Sequence, residues 1–234
     1  MAGPLKGYQW TTASSYEYIT GNYEDPQVLE TFCSWLQPTT VLYDIGANVG
    51  FFSLLSNRFI TAGKIYAFEP LPSNLEVFEE HMARNKKYIV TDNITILPLA
   101  VSDKEKEVDF SNNVKNRDGN TYIKGSITFT EAESTIRVRS YSIDELIQKG
   151  YAVPDVLKID VEGAEYDVLA GAVNTLKEYK PLILLATHDC HLPGVKVKCL
   201  NFLEGLGYVL KHKGDYNKQL PGLDDFFAIH REKV

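Results

Sequence analysis

Apolar positions in this chain fall into short runs separated by stretches of helical period, the pattern of alternating strands and helices. Val41–Ile45, Lys64–Glu69, Ile94–Leu99, Asp155–Asp160 and Pro181–Ala186 read as strands. The last is continuously apolar, as an interior parallel strand should be, and Pro98 puts the third near a sheet edge. A helix is predicted over 26–36, with Pro26 at its start and Val28, Leu29, Phe32, Trp35 and Leu36 at helical spacing. Residues 50–60 form a helix apolar nearly all round and hence buried. Ser73-x-x-Glu76 reads as a capping box opening a helix with Leu75, Phe78 and Met82 on one face. Ser142 caps a short helix over 143–149, and longer helices follow at 163–176 and 195–205. Strands at 207–212 and 224–230 close the chain. The expected fold is α/β: a Rossmann-like, doubly wound three-layer sandwich with a mostly parallel sheet and an antiparallel last strand.

Two segments break this rhythm. Residues 7–23 carry Tyr8, Trp10, Tyr16, Tyr18 and Tyr23 among small polar residues, and read as a surface segment or lid whose rings are available to stack on an acceptor. Residues 103–134 are polar; Glu107–Phe110 and 135–140 read as an antiparallel pair flanking a long loop. The chain thus divides into an N-terminal aromatic segment and helix, 1–37, and a main domain, 38–234, with an insertion at about 103–141.

The most informative turn follows the first strand. Tyr43-Asp44-Ile45-Gly46-Ala47-Asn48-Val49-Gly50 is a strand, a tight turn and a helix start, and its glycines let backbone pass close to a ligand. Dinucleotide-binding folds read G-x-G-x-x-G here and hold a pyrophosphate. The wider spacing, with an acid before the first glycine, favours S-adenosylmethionine, a cationic ligand without phosphate, over NAD. Glu69, at the tip of the second strand, reads as a bidentate acceptor for the two hydroxyls of a ribose.

Strand four carries an anomaly. In Leu157-Lys158-Ile159-Asp160-Val161-Glu162-Gly163, alternation sends Lys158, Asp160 and Glu162 to one face at the carboxyl end of a central strand, where open α/β sheets bind ligands. Such charges are costly unless they pair or bind something. Thr187-His188-Asp189-Cys190-His191 ends the fifth strand beside the same crevice, and His188 is the first candidate for a general base, ahead of His191. Asp160, His188 and Asp189 could together ligate a divalent cation, but nothing in their spacing demands it, and no metal is expected.

Bulk properties narrow the field. At 234 residues with 44% hydrophobic and 24% charged residues, the chain is an ordinary globular domain. No apolar run reaches a membrane span and the first residues lack a secretory core, so a cytoplasmic protein is expected. Cys33, Cys190 and Cys199 suggest neither a disulfide framework nor a zinc site. A net charge of −7 argues against a nucleic-acid substrate.

Taken together, Tyr43–Ser53, Phe68-Glu69-Pro70, Leu99-Ala100-Val101-Ser102-Asp103 and Leu157-Lys158-Ile159-Asp160-Val161-Glu162-Gly163-Ala164-Glu165 resemble the FkbM family of class I S-adenosylmethionine-dependent methyltransferases. The likeness runs from about Tyr23 to Thr187. It implies that Asp44, Gly46, Ala47, Asn48 and Gly50 line the methionine end of the cofactor, that Glu69 and Pro70 lie at its ribose, that Ala100, Val101 and Ser102 run along the adenine, and that Asp160 sits beside the methionine moiety. Family members mostly methylate hydroxyls of sugars and small natural products, which implies a hydroxylated small-molecule acceptor, with S-adenosylhomocysteine as product. The expected reaction is in-line attack of a hydroxyl on the sulfonium methyl, with His188 as base, Asp160 or Glu162 as substitutes, and Lys158 in the same charged network. Methylation at nitrogen or carbon, NAD-dependent oxidoreduction and a non-catalytic binding module are the alternatives. A base methyltransferase would be expected to carry a Pro-Pro-aromatic tetrapeptide where this chain reads Asp160-Val161-Glu162-Gly163.

Overall fold

The computed structural model describes residues 5–12, 14, 18, 20, 25–111, 113–117, 120–124, 135–215 and 222–234. Its centre is a seven-stranded sheet. Strands β1 (Val41–Ile45), β2 (Lys64–Phe68) and β3 (Ile94–Leu97) run parallel outward to one edge. The numbering continues through an inserted region: β4 (Ala100–Val101), β5 (Lys106–Ser111), β6 (Asn113–Arg117), β7 (Asn120–Lys124) and β8 (Thr135–Tyr141). On the other side of β1 lie β9 (Val156–Ile159) and β10 (Leu182–His188), both parallel to it. An antiparallel pair, β11 (Tyr208–Asp215) and β12 (Leu223–His230), completes the order β11-β12-β10-β9-β1-β2-β3. The fold is therefore the expected α/β sandwich, and both final strands contribute its antiparallel end.

Alternation along the strands sorts the core into two layers. Tyr43, Ile45, Phe68, Leu157, Ile159 and Leu185 face one side. There they meet α5 (Glu165–Ala170), α6 (Val173–Glu178) and α7 (Val195–Gly205) through Val168, Leu169, Leu176 and Leu203. Leu42, Ile65, Val156, Leu184 and Phe227 face the other side. They pack on α1 (Pro26–Ser34) and on α2 (Phe51–Asn57), every residue of which is buried. The same alternation sends Asp44 and Lys158 to this second side, opposite each other across the β1–β9 register.

Several expectations are corrected by tertiary packing. The helix predicted over 163–176 is two helices, interrupted at Gly171-Ala172. Gly171 lies so close to the inserted region that a Cβ would stand 2.2 Å from the Ser102 carbonyl oxygen. The Asp144 carboxylate then accepts the Asn174 and Thr175 amides and so starts α6 afresh. Ser142 does form a capping box with Glu145, at the head of α4 (Ile143–Gln148). Ser73 does not cap: Pro72 occupies the first position of α3 (Pro72–Arg84), so Ser73 is already inside the helix, and its hydroxyl makes no hydrogen bond.

The antiparallel pair of the insertion is β5 with β8. The long loop expected between them contains instead a two-stranded antiparallel ladder of β6 and β7. Residues 125–134 lie outside the described residues.

The N-terminal aromatic residues are not a surface segment. Leu5, Tyr8 and Tyr18 are buried in the second core layer. Tyr8 stacks on Tyr88 at 4.8 Å, Tyr18 on Phe51 at 5.1 Å, and Trp10 meets the His81 ring edge-on at 4.8 Å. These rings bury their own area against the domain, which removes them as stacking surfaces for an acceptor. Tyr16 and Tyr23 lie outside the described residues. Among the described residues no helix is long and apolar enough to cross a membrane.

Candidate active site

The turn after β1 is built for close approach. Gly46 has φ +75° and Gly50 φ +91°. A Cβ on Gly46 would lie 1.9 Å from the Asp160 carbonyl oxygen, so only glycine lets the tips of β1 and β9 meet. Four of the turn's five amides are spent internally. Gly46 and Ala47 both donate to the Phe68 carbonyl at 3.0 Å, Asn48 donates to Glu69 Oε2 at 2.9 Å, and Gly50 donates to the Ala47 carbonyl at 2.9 Å. A phosphate-binding turn needs those N–H groups pointing at the ligand; here they point into the protein.

Asp44 is fully buried beneath the turn. Its Oδ2 accepts the Ser53 hydroxyl at 2.6 Å, and its Oδ1, with no hydrogen bond, stands 3.4 Å from Lys158 Nζ. Lys158 is also buried. It donates to the Gly46 carbonyl at 2.8 Å, lies 3.6 Å from Asp160 Oδ2, and sits over the Phe52 ring. Burial alone would lower its pKa, but Asp44, Asp160 and Glu69 together raise it, so the ammonium is charged. Lys158 thus holds the turn and two acids together from below.

Glu69 is 4% exposed at the tip of β2. Its Oε1 accepts the Leu71 amide and the Asn74 side chain, and its Oε2 accepts Asn48. A carboxylate offers about four lone-pair sites, so one site, on Oε2, is left for a ligand. That narrows the expected bidentate clamp to a single acceptor. Burial pushes the carboxyl up to about 7 despite these donors. Pro70 beside it is buried. Ala100 packs in a cluster with Leu71, Val101 packs with Phe68, and the buried Ser102 donates its amide to Tyr141 at 2.9 Å, so this segment flanks the β2 tip.

The second half of the site gathers at the ends of β9 and β10. Asp160 and Lys158 share a face as alternation predicts. Glu162 does not arrive by alternation: the strand ends at Ile159, and Glu162 adopts φ +58° in a turn with Gly163 at φ +110°. His188, 3% exposed, lies among three carboxylates: Nδ1 2.7 Å from Glu165 Oε1, Nε2 3.4 Å from Asp160 Oδ1 and 3.7 Å from Glu162 Oε2. Burial opposes its charge, yet Glu162, the Glu165 hydrogen bond and Asp160 outweigh it and push the imidazole up to about 9. Such a raised pKa favours the imidazolium at neutral pH, a form in which the ring has no free nitrogen to accept a proton. His191 stacks on His188 and pairs with Glu162 at 2.8 Å. Asp189 is not part of this group; its Oδ1 accepts the Lys196 amide at the start of α7.

Two acids escaped the sequence reading. Glu165 is fully buried and joins the Gly163 amide to His188 Nδ1. Asp225, on β12, lines a cavity of about 20 Å³ with Phe52, Lys158, Asp160 and Leu184. The cavity exists because Ala186, its register partner on β10, is small. Burial, then the negative charge of Asp160, hold the Asp225 carboxyl well above its usual range. The signal for Asp225 was a pair of acids, Asp224-Asp225, at the head of a largely apolar strand.

Comparison with known proteins agrees with this architecture. The Methyltransferase FkbM domain profile matches residues 44–210. Hexuronic acid methyltransferase AglP of Haloferax volcanii is 27% identical over 62% of this chain and 54% of its own, and 2-O-methyltransferase NoeI of Sinorhizobium fredii is 27% identical over 60% of each. The chain therefore spans little more than half the length of these relatives. Among solved structures, methyltransferase FkbM from Methylobacillus flagellatus superposes with TM-score 0.57 at 16% identity, over 95% of this chain and 48% of that one. A SAM-dependent O-methyltransferase from Thermotoga maritima gives 0.53 at 12% identity, over 94% and 71%. At such identities the structures speak for the fold, and with the profile covering most of the chain, the protein belongs to the FkbM methyltransferase family.

Proposed function

We propose that this protein is an S-adenosylmethionine-dependent O-methyltransferase acting on a hydroxyl of a sugar or similar small molecule. The observation that carries the cofactor assignment is the turn at 46–50, four of whose five amides are occupied within the protein while Asp44, Glu69 and Asp160 surround it. Such a turn is poor for pyrophosphate and good for a cation. When bound, S-adenosylmethionine supplies a methyl group on a positively charged sulfur leaving group.

In this reading Gly46–Gly50 gives the close backbone approach, with Asp44 and Lys158 fixing the turn from beneath. Glu69 Oε2 accepts a ribose hydroxyl, beside Pro70, and Ala100, Val101 and Ser102 flank the base. Asp160 lies at the reacting end. Asp160 and Glu162 are the carboxylates within reach of an acceptor hydroxyl there, and each is partly exposed. They orient the hydroxyl and take up its proton, while His188, with Nε2 between them, holds the two acids in place. A positioned base of this kind contributes about 10²–10⁴-fold, with alignment supplying the rest.

The hydroxyl assignment draws on two relatives, one a hexuronic acid methyltransferase and one a 2-O-methyltransferase. The test is methyl transfer from labelled S-adenosylmethionine to a panel of glycosides, uronic acids and amines, read by mass spectrometry. A mass gain of one methyl on an oxygen supports the proposal. Transfer only to nitrogen or carbon, or cofactor binding without transfer to any acceptor, refutes it.

A further inference from the structure

Asp160, Glu162 and His188 converge more tightly than an acidic patch does. One ligand atom from each lies within 4.8 Å of the others. His188 Nε2 is 3.4 Å from Asp160 Oδ1 and 3.7 Å from Glu162 Oε2. Ligands at about 2.0–2.2 Å from a tetrahedral ion are about 3.4 Å apart, so the two spacings from His188 already match the edges of a coordination polyhedron. We propose that these three side chains bind one divalent transition-metal cation of the zinc, manganese or cobalt kind.

Two further observations point the same way. The first is the setting of His188, which is 3% exposed and has its Nδ1 fixed by the fully buried Glu165 at 2.7 Å, so that Nε2 is aimed between the two acids. A carboxylate on the far nitrogen is the arrangement that orients metal-bound histidines. The second is Asp225. It is 7% exposed, its carboxylate takes no hydrogen bond among the described residues, and it lines the small cavity next to Asp160. The Lys158 ammonium lines the same cavity but is shared with Asp44 and Asp160, so a further cation at Asp160 would help offset the buried acids.

A mixed nitrogen and oxygen donor set suits first-row transition ions better than calcium or magnesium, which take oxygen alone. The ion takes the place of the Nε2 proton and is bound by three protein groups, which leaves coordination positions open. On the reading under Proposed function, an open position receives the acceptor hydroxyl and orients it; the binding itself does not depend on that reading.

The test is titration of the metal-stripped protein with Co²⁺ alone, followed by visible absorption and calorimetry. One saturable equivalent is expected. Asp160→Asn should abolish it, and Glu165→Gln should weaken it by about 10–100-fold, with far-UV circular dichroism and urea midpoints showing that both variants are folded. No saturable binding, or binding unchanged in folded Asp160→Asn and Glu165→Gln proteins, overturns the proposal. Titration of the same stripped protein with S-adenosylhomocysteine separates the two ideas. Nucleoside binding without Co²⁺ binding defeats the metal site alone, whereas Co²⁺ binding without nucleoside binding defeats the methyltransferase reading and leaves the metal site standing.

Discussion

Lys158→Met is the perturbation that most sharply probes how the site is held. The ammonium is buried, donates to the Gly46 carbonyl, and stands 3.4 Å from the fully buried Asp44. Methionine is an unbranched side chain one atom shorter, and removes the charge, its hydrogen bond and the ammonium seated over Phe52. Asp44 would then be left with the Ser53 hydroxyl as its one hydrogen-bond donor among the described residues. Stranding one partner of a buried pair costs about 3–5 kcal/mol, a large part of a typical domain's stability of about 5–15 kcal/mol. Urea unfolding followed by circular dichroism should show that loss. The double variant Asp44→Asn, Lys158→Met, which removes both charges, should recover a substantial share of it. A loss below about 1 kcal/mol in the single variant, or a double variant no more stable than the single, would refute the claim that this pair supports the turn.

Other consequences follow from buried titratable groups. Glu69 has its carboxyl raised to about 7, above its unfolded value of 4.5, so its ionisation is unfavourable to the fold and stability falls as pH rises through that window. If its carboxylate accepts the ribose, affinity for S-adenosylhomocysteine should rise roughly tenfold from pH 6 to pH 8, and Glu69→Gln should flatten the profile; a flat wild-type profile would count against the assignment. His81 is buried and neutral: it accepts the Thr11 amide on Nε2 and donates from Nδ1 to the Val49 carbonyl at 2.8 Å, tying the N-terminal segment to the glycine turn. Burial lowers its pKa below 6.5, so stability should decline as pH falls beneath that value. His81→Leu should lose about 1–3 kcal/mol at neutral pH by leaving Thr11 and Val49 unpaired and should lose that pH dependence, both measurable by urea unfolding; an unchanged midpoint would show that the tie carries no energy.

Most of the sheet was legible because burial and alternation act locally. The strand positions, the buried α2, the Ser142 cap and the acids at the tips of β1, β2 and β9 all followed from period and spacing. What was misread depends on partners distant in sequence. The break at Gly171 comes from contact with Ser102, and Ser73 loses its cap because Pro72 begins the helix one residue earlier. The N-terminal rings looked exposed among polar neighbours, yet Phe51, His81 and Tyr88 were there to receive them. His188 read as a base because histidine usually titrates near neutrality. Its titration is shifted by Glu162 and Asp160 on one side and Glu165 on the other, none adjacent to it in sequence. Asp225 was hidden for the same reason: its importance lies in sharing a cavity with Asp160, across a strand whose small Ala186 leaves the space.

Calorimetric titration of the purified protein with S-adenosylhomocysteine, set beside an identical titration with NADH, tests the nature of the turn most directly. A single saturable site for S-adenosylhomocysteine, with a dissociation constant between about 1 μM and 1 mM, and no heat from NADH is the predicted result. Saturable binding of NADH with none of S-adenosylhomocysteine would mean that the amides of the 46–50 turn do turn outward to hold phosphate, and would contradict the account at its base.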